Sequence, residues 1–351
     1  MKQYNVAVAG ALGLVGSTMV RILEEYGFPV AELRLLEQKQ FAGNPVSFRG
    51  KTIVTAEADE AAFCDIDIAL FATNDEVSAD LVPKAVRQGA IAIDNSKTFR
   101  LDPATPLVVP EVNPEDVAWH EGRIANPNCT TIATILALKP IHDLGTISRV
   151  VASTYQSTSG GALPGMLELR RQAAEFLAGV PVGPPAVFKY QIAFNVIPFI
   201  DAFGPDGYTR EEWKMVHETR KMLHAPDLRI TNTAVRVPTL VCHAVSVNIE
   251  TERKVTVADA RDAFARAPGV KLVDDVERLE FPQPLEVAGG DLTHVGRIRE
   301  DFSVANGLNL WVVSDNVRKG AAQNAVQIAQ LLVEQGQVEK WREARRATVS
   351  Q

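Results

Sequence analysis

Three cysteines stand in a chain of 351 residues, and one of them has the surroundings of a nucleophile. The run Asn126-Pro127-Asn128-Cys129-Thr130-Thr131 opens a helical pattern that continues to Leu138, with Asn128 as the N-cap and Cys129 in the first turn. A thiol there feels the positive end of the helix dipole, which favours the thiolate, the form that attacks a carbonyl. Cys64 lies amid Ala and Ile ahead of a strand and reads as a small buried hydrophobe. Cys242 adjoins His243, but neighbours on a strand point to opposite faces, so those two side chains are not expected to meet.

A second constellation opens the chain. Gly10-Ala11-Leu12-Gly13-Leu14-Val15-Gly16 falls where a first strand hands over to a first helix. Gly10 suits the tight turn, Gly13 lets the backbone approach a pyrophosphate, and Gly16 allows close helix–strand packing, with the helix N-terminus facing the phosphates. Glu37, 21 residues beyond Gly16, ends the second strand. An acid there accepts from a ribose 2′-hydroxyl and favours NAD, whereas Lys39 could pair with a 2′-phosphate and favour NADP. The two residues pull in opposite directions.

These groups need a scaffold. Tyr4–Ala9, 33–36, 53–55, 68–72 and 90–93 read as strands, with 107–109 as a further candidate; Val15, Met19, Leu23 and Tyr26 recur at helical spacing. Strands alternating with helices imply βαβ units and a parallel sheet wound on both faces. After Cys129 the pattern changes: a helix to Leu138 ahead of Pro140, then strands at 150–156, 239–250, 294–299 and 308–314, a Gly/Pro-rich loop at 179–185 and a polar amphipathic helix at 211–223. A helix over 317–333 is expected to pack back onto the first domain. The fold class is therefore α/β, with an N-terminal Rossmann-type, doubly wound dinucleotide-binding domain (1–128, completed by 316–351) and a second α/β domain (129–315).

Composition narrows the classes of function. The chain is 46% hydrophobic and 23% charged, with a net charge of −7 and no basic tract, which argues against nucleic acid. Its apolar runs are too short to span a bilayer, the opening MKQYNVAVAG lacks the pattern of a signal peptide, and three cysteines make no disulfide framework. A reduced, cytoplasmic location is expected. No Cys/His cluster has metal-ligand spacing, so no metal site is predicted.

Taken together, GALGLVG at the start, PNCTT at 127–131, TYQSTSGG at 154–161, EEWK at 211–214, RVPTLVCH at 236–243 and SDNVRKGAAQNAVQIA at 314–329 resemble the aspartate-semialdehyde dehydrogenase family along nearly the whole chain. The resemblance implies NADPH-dependent reduction of L-aspartyl 4-phosphate to the semialdehyde with release of phosphate, on the route to lysine, methionine, threonine and diaminopimelate. It also implies a dimerisation role for the second domain, in a homodimer or homotetramer. By position, Cys129 resembles the nucleophile that forms an acyl-thioester, and His243 the general acid–base. Gln156 matches the glutamine that orients substrate, Arg236 the arginine that holds the α-carboxylate, Glu211 and Lys214 the pair for the amino group and phosphate, and Arg100 the phosphate-binding arginine. Leu12, Leu14 and Val15, with Gly10, Gly13 and Gly16 around them, and Thr73, Ser159, Gly160 and Asn316 occupy cofactor positions.

Each assignment suits its side chain. A guanidinium grips a carboxylate in two places, and Arg plus Lys suits a phosphate dianion. A histidine near its ordinary pKa exchanges protons at neutral pH. On an ideal strand Arg236 would face away from His243, so a bend near Pro238 is expected. His120, His142, His217, His224 and His294 read as structural or exposed. Departures from the family lie at Glu37 to Phe41, where many relatives carry Ser and Arg, and at Asn74-Asp75, where many carry Gly-Gly; both bear on NADP against NAD. Alternatives are an N-acetylglutamyl-phosphate or malonyl-CoA reductase, for which a free amino group and hence Glu211 would be unnecessary, and a non-catalytic dinucleotide-binding redox sensor, which would need the thiol alone.

Overall fold

The structure is a computed structural model and describes residues 2–349. The chain forms two compact units, Met1–Pro127 with Ala321–Gln351, and Asn128–Gly320.

The first unit begins β1 (Tyr4–Ala9), α1 (Leu14–Glu25) and β2 (Val30–Glu37), followed by the hairpin β3 (Pro45–Phe48) and β4 (Lys51–Val54). It continues with β5 (Ala56–Glu57), β6 (Ile68–Phe71), α2 (Asp75–Gln88), β7 (Ile91–Asp94) and β8 (Arg123–Ala125). Six strands form a sheet in the order β5-β2-β1-β6-β7-β8, all pairs parallel. Alternation along β1 explains why both faces are covered. Val6 and Val8 join the core packed by Met19, Ile22 and Leu23 of α1, and Ala7 and Ala9 join the one packed by Leu81, Val82 and Ala85 of α2. Each buried Val, Leu, Ile or Met among these contributes about 1.5–3 kcal/mol by leaving water. The expected strand at 53–55 belongs to the hairpin, not the parallel sheet. Residue 107 makes only an isolated bridge to Ala125.

The second unit runs α3 (Cys129–Gly145), β9 (Ile147–Gln156), α4 (Ala162–Leu177), α5 (Arg210–Met222), β10 (Arg229–Arg236), β11 (His243–Thr251), α6 (Val257–Arg266), β12 (Val270–Leu272), the short α7 (Pro284–Val287), β13 (Thr293–Asp301) and β14 (Gly307–Ser314). Its mixed sheet has the order β10-β9-β11-β14-β13-β12. The helix at Cys129 continues through Pro140 to Gly145. Its residues from Thr130 to Leu138 are all buried, so packing on every side outweighs the hydrogen bond that the proline removes. The expected strand at 239–250 starts only at His243, because Cys242 has φ 71° and the preceding loop reverses the chain.

Past β14 the chain makes a π-helical turn (Arg318–Ala322) before α8 (Gln323–Glu334) and α9 (Gln337–Val349), both in the first unit. Ala325, Ile328 and Leu332 of α8 enter the same core as α1, as their spacing anticipates; the break at Gly336, φ 66°, separates off the second helix.

Candidate active site

Cys129 sits at the first position of α3, and Asn128 caps that helix by accepting from the N–H groups of Thr130 (3.0 Å) and Thr131 (3.3 Å). The cap is itself held. Asn128 N–H donates to Glu218 Oε2 at 2.6 Å, and its side-chain amide donates to Glu211 Oε1 at 3.1 Å. Gly320, in the π-helical turn, leaves room for Cys129: a Cβ there would stand 3.0 Å from Cys129 Cβ. Among the other cysteines, Cys242 is buried, and burial pushes its thiol well above the ordinary range. Cys64 is exposed, contrary to its apolar context, because it follows a short 3-10 turn at the surface.

Three strands bring the other groups into one row. Arg236 pairs with Gln156 across β10–β9, and Gln156 pairs with His243 across β9–β11, so the three side chains share one face of the sheet. Placing Arg236 and His243 on different strands removes the conflict that a single continuous strand would have created. All three are buried. Glu211, from the first turn of α5, links this row to the helix cap: its Oε1 accepts from Gln156 Nε2 (3.1 Å) as well as from Asn128, and its Oε2 pairs with Lys214 at 2.8 Å. Burial raises the Glu211 pKa, but the Lys214 ammonium and the amide donors outweigh it and leave the carboxyl at about 2. Lys214 also reaches Asp201 at 3.4 Å.

Arg236 donates from Nη1 to Ser157 O at 2.6 Å and lies 5.6 Å from the Phe188 ring centroid. Burial lowers its pKa, while Glu211 and Cys129 oppose that shift, which puts the guanidinium within electrostatic reach of the thiol. Gly160 lies against the same group: a Cβ there would stand 2.5 Å from Arg236 Nη1 and push the guanidinium aside.

His243 accepts at Nδ1 from Ser157 N–H (3.0 Å), which puts the proton of the neutral ring on Nε2. Nε2 is buried without a hydrogen-bond partner among the described residues, so this donor is held ready for a group that the protein does not supply. Burial and the Arg236 charge hold the ring pKa down to about 3, and Glu211 only partly offsets them. The ring is thus neutral at neutral pH, rather than near its ordinary pKa. Ser157 Oγ, 3.2 Å from Nδ1, is the nearby acceptor for a second ring proton. Asn316 fixes this corner, its Oδ1 accepting from Ser157 Oγ (3.2 Å), Ser159 Oγ (3.0 Å) and Cys242 N–H (3.0 Å).

The remaining residues lie in the first unit. Gly10, at φ 79°, leaves no room for a Cβ, which would stand 2.5 Å from Ala72 O; at Gly16 it would stand 2.0 Å from Gly10 O. Gly13 is the N-cap of α1 and makes no side-chain cap, so Leu14, Val15 and Gly16 open that helix with no side chain covering their N–H groups. That close, uncapped turn fits a pyrophosphate. Leu12 N–H donates to Glu37 Oε1 at 2.7 Å. Lys39 and Thr73 line a cavity of about 360 Å³ beside Gly10. Arg100 donates from Nη2 to Asn95 O at 2.7 Å.

Sequence reasoning missed Ser157, Glu218 and Gly320. Nothing in their residue types marks them; they matter because of what folds against them.

Residues 5–120 match the family described as semialdehyde dehydrogenase, NAD binding domain, and residues 138–319 match its dimerisation domain. The aspartate-semialdehyde dehydrogenase of Aquifex aeolicus is 46% identical over 95% of this chain and 99% of its own length. The chain belongs to the aspartate-semialdehyde dehydrogenase family. The Bacillus subtilis family member is 46% identical over 93% of this chain and 97% of its own. A solved structure described as aspartate semialdehyde dehydrogenase II complexed with ASA, from Vibrio cholerae, superposes with a TM-score of 0.92 at 45% identity, covering 95% of this chain and 99% of the other. The chain thus carries a Rossmann-like NAD(P)-binding domain and a dimerisation domain with a mixed sheet, and it is an oxidoreductase of this family. Among the described residues no helix is long and apolar enough to cross a membrane.

Proposed function

We propose that this chain is an aspartate-semialdehyde dehydrogenase that reduces L-aspartyl 4-phosphate to L-aspartate 4-semialdehyde and releases phosphate. The observation that carries the proposal is the helix-capped Cys129 together with the buried row Gln156, Arg236 and His243, tied to the cap through Glu211. Cys129 attacks the acyl-phosphate carbonyl; phosphate leaves, and an aspartyl thioester forms. The nicotinamide dinucleotide supplies the hydride that reduces this thioester.

His243 meets the negative oxygen of each tetrahedral adduct with its Nε2–H, and negative charge beside it raises its proton affinity. The Nε2 proton shifts toward that oxygen as the adduct forms and returns to Nε2 as the carbon–sulfur bond breaks and Cys129 leaves as the thiolate, so the cycle needs no second ring proton. Arg236 holds the substrate α-carboxylate and Glu211 the α-ammonium, an anionic partner that N-acetylated or malonyl substrates would not need. Gln156 orients the acyl group; Lys214 and Arg100 meet the phosphate.

The glycine turn from Gly10 to Gly16, with Leu12, Leu14 and Val15, holds the dinucleotide pyrophosphate, and Thr73, Ser159, Gly160 and Asn316 make further cofactor contacts. The cofactor is a nicotinamide dinucleotide, NADP in the family's usual pattern or NAD, and the residues at the adenosine end of this chain's site decide between them. The domain at 129–315 carries catalysis and dimerisation, and 1–128 with 316–351 the dinucleotide. A cytoplasmic homodimer, or a tetramer built from it, forms through the second sheet's open face, where Tyr155 is 39% exposed and packs at a tilt against Trp311, the ring centroids 5.4 Å apart.

The test is reduction of NADP⁺ and NAD⁺ by L-aspartate 4-semialdehyde with and without inorganic phosphate. Phosphate-dependent turnover is expected; no turnover with either dinucleotide would reject the assignment.

A further inference from the structure

We propose that Glu37 selects the cofactor, and that this chain's adenosine pocket takes the free 2′-hydroxyl of NAD rather than the 2′-phosphate of NADP. The proposal rests on the dinucleotide-dependent function above and concerns the far end of the same cofactor site. Glu37 ends β2, the strand that pairs with β1, and its side chain reaches the glycine turn that follows β1. Its side chain is fixed. Glu37 is only 8% exposed, and Oε1 accepts from Leu12 N–H at 2.7 Å. The second oxygen, Oε2, has no hydrogen-bond partner among the described residues. A buried carboxylate with one oxygen anchored to the phosphate-binding turn and the other unspent is a ready acceptor for a ribose hydroxyl.

The charges nearby agree. Gln38 and Lys39 follow Glu37 in the chain and, together with Gly10, Glu57, Glu76 and Asp80, line the 360 Å³ cavity. Among its described lining residues Lys39 is the one cation, and no arginine offers a fork to a phosphate. Lys39 is exposed and screened by solvent, whereas Glu37 is buried. A 2′-phosphate dianion would meet a fixed carboxylate that has no buried cation to neutralise it.

Binding of NAD⁺ and NADP⁺ to the full-length protein, measured by titration calorimetry without substrate, tests this. NAD⁺ should bind at least about 10-fold tighter, and Glu37→Gln, which keeps an acceptor for Leu12 N–H but removes the charge, should bring the two affinities within about threefold. Tighter or equal binding of NADP⁺ by the unmodified protein overturns the proposal, as does an unchanged ratio in a folded Glu37→Gln. If that variant does not fold, Lys39→Ala decides. Its NAD⁺-to-NADP⁺ ratio should stay within about threefold of the unmodified protein's, and a selective loss of NADP⁺ binding would assign the pocket to Lys39 instead. These are binding experiments, so a failure of the dehydrogenase assignment would appear separately, as no turnover with L-aspartate 4-semialdehyde.

Discussion

Replacing His243 with glutamine should make the protein less sensitive to mild acid while abolishing most of its turnover. The folded chain holds the His243 ring pKa at about 3 against an ordinary 6.5, because the ring is buried beside Arg236. The unfolded chain takes up a proton near pH 6.5 and the folded chain refuses it. The stability tied to His243 is therefore complete above that pH and drains away as pH falls toward the folded value. Between pH 7 and pH 5 the loss from this one ring is about 2 kcal/mol. His120, also held low by burial, at about 4, contributes in the same direction but is common to both proteins, so comparing the two isolates His243. Urea unfolding followed by circular dichroism at pH 7 and pH 5 gives the four free energies. The unmodified protein should lose about 2 kcal/mol more than His243→Gln across that interval. Equal losses would refute the argument that burial and Arg236 hold the ring neutral.

Other perturbations follow from the same geometry. Arg236→Lys loses the bond to Ser157 O and the forked grip on a carboxylate, and should raise KM for L-aspartate 4-semialdehyde at least about 10-fold with a smaller change in kcat; an unchanged KM would reject the carboxylate role. Glu211→Gln removes the charge that pairs with Lys214 and should likewise raise KM, by about 10-fold or more, without changing dinucleotide affinity measured by calorimetry. Gly16→Ala places a Cβ 2.0 Å from Gly10 O and should destabilise the protein by about 1–3 kcal/mol in thermal melts and weaken dinucleotide binding. Gly320→Ala crowds Cys129 and should slow alkylation of that thiol by iodoacetamide and lower kcat, while dinucleotide binding stays unchanged.

What the sequence disclosed was local. The glycine turn and the capped cysteine are each set by a few consecutive residues, so their spacing already contains the geometry. The alternation of strands and helices along the first 125 residues also announces a parallel sheet covered on both faces. The row Arg236, Gln156 and His243 depends on register across three strands that are far apart in the chain, and no short-range pattern encodes register. Family resemblance, not periodicity, pointed to those residues. Pro140 and the loop before His243 misled for a related reason: local propensity ended one element early and began another too soon, while burial around α3 and the left-handed backbone at Cys242 decided the outcome. Ser157, which sets the tautomer of His243, was visible only once the strands were paired.

The central claim is that Cys129 carries the acyl group. Mixing the protein with L-aspartate 4-semialdehyde and oxidised dinucleotide, without phosphate, should trap the thioester, because its natural acceptor is missing. Intact-mass spectrometry after an acid quench, followed by peptide mapping, should find one aspartyl group on Cys129, and none in Cys129→Ala. Phosphate-dependent turnover with no adduct on Cys129, or turnover that survives Cys129→Ala, would contradict the account.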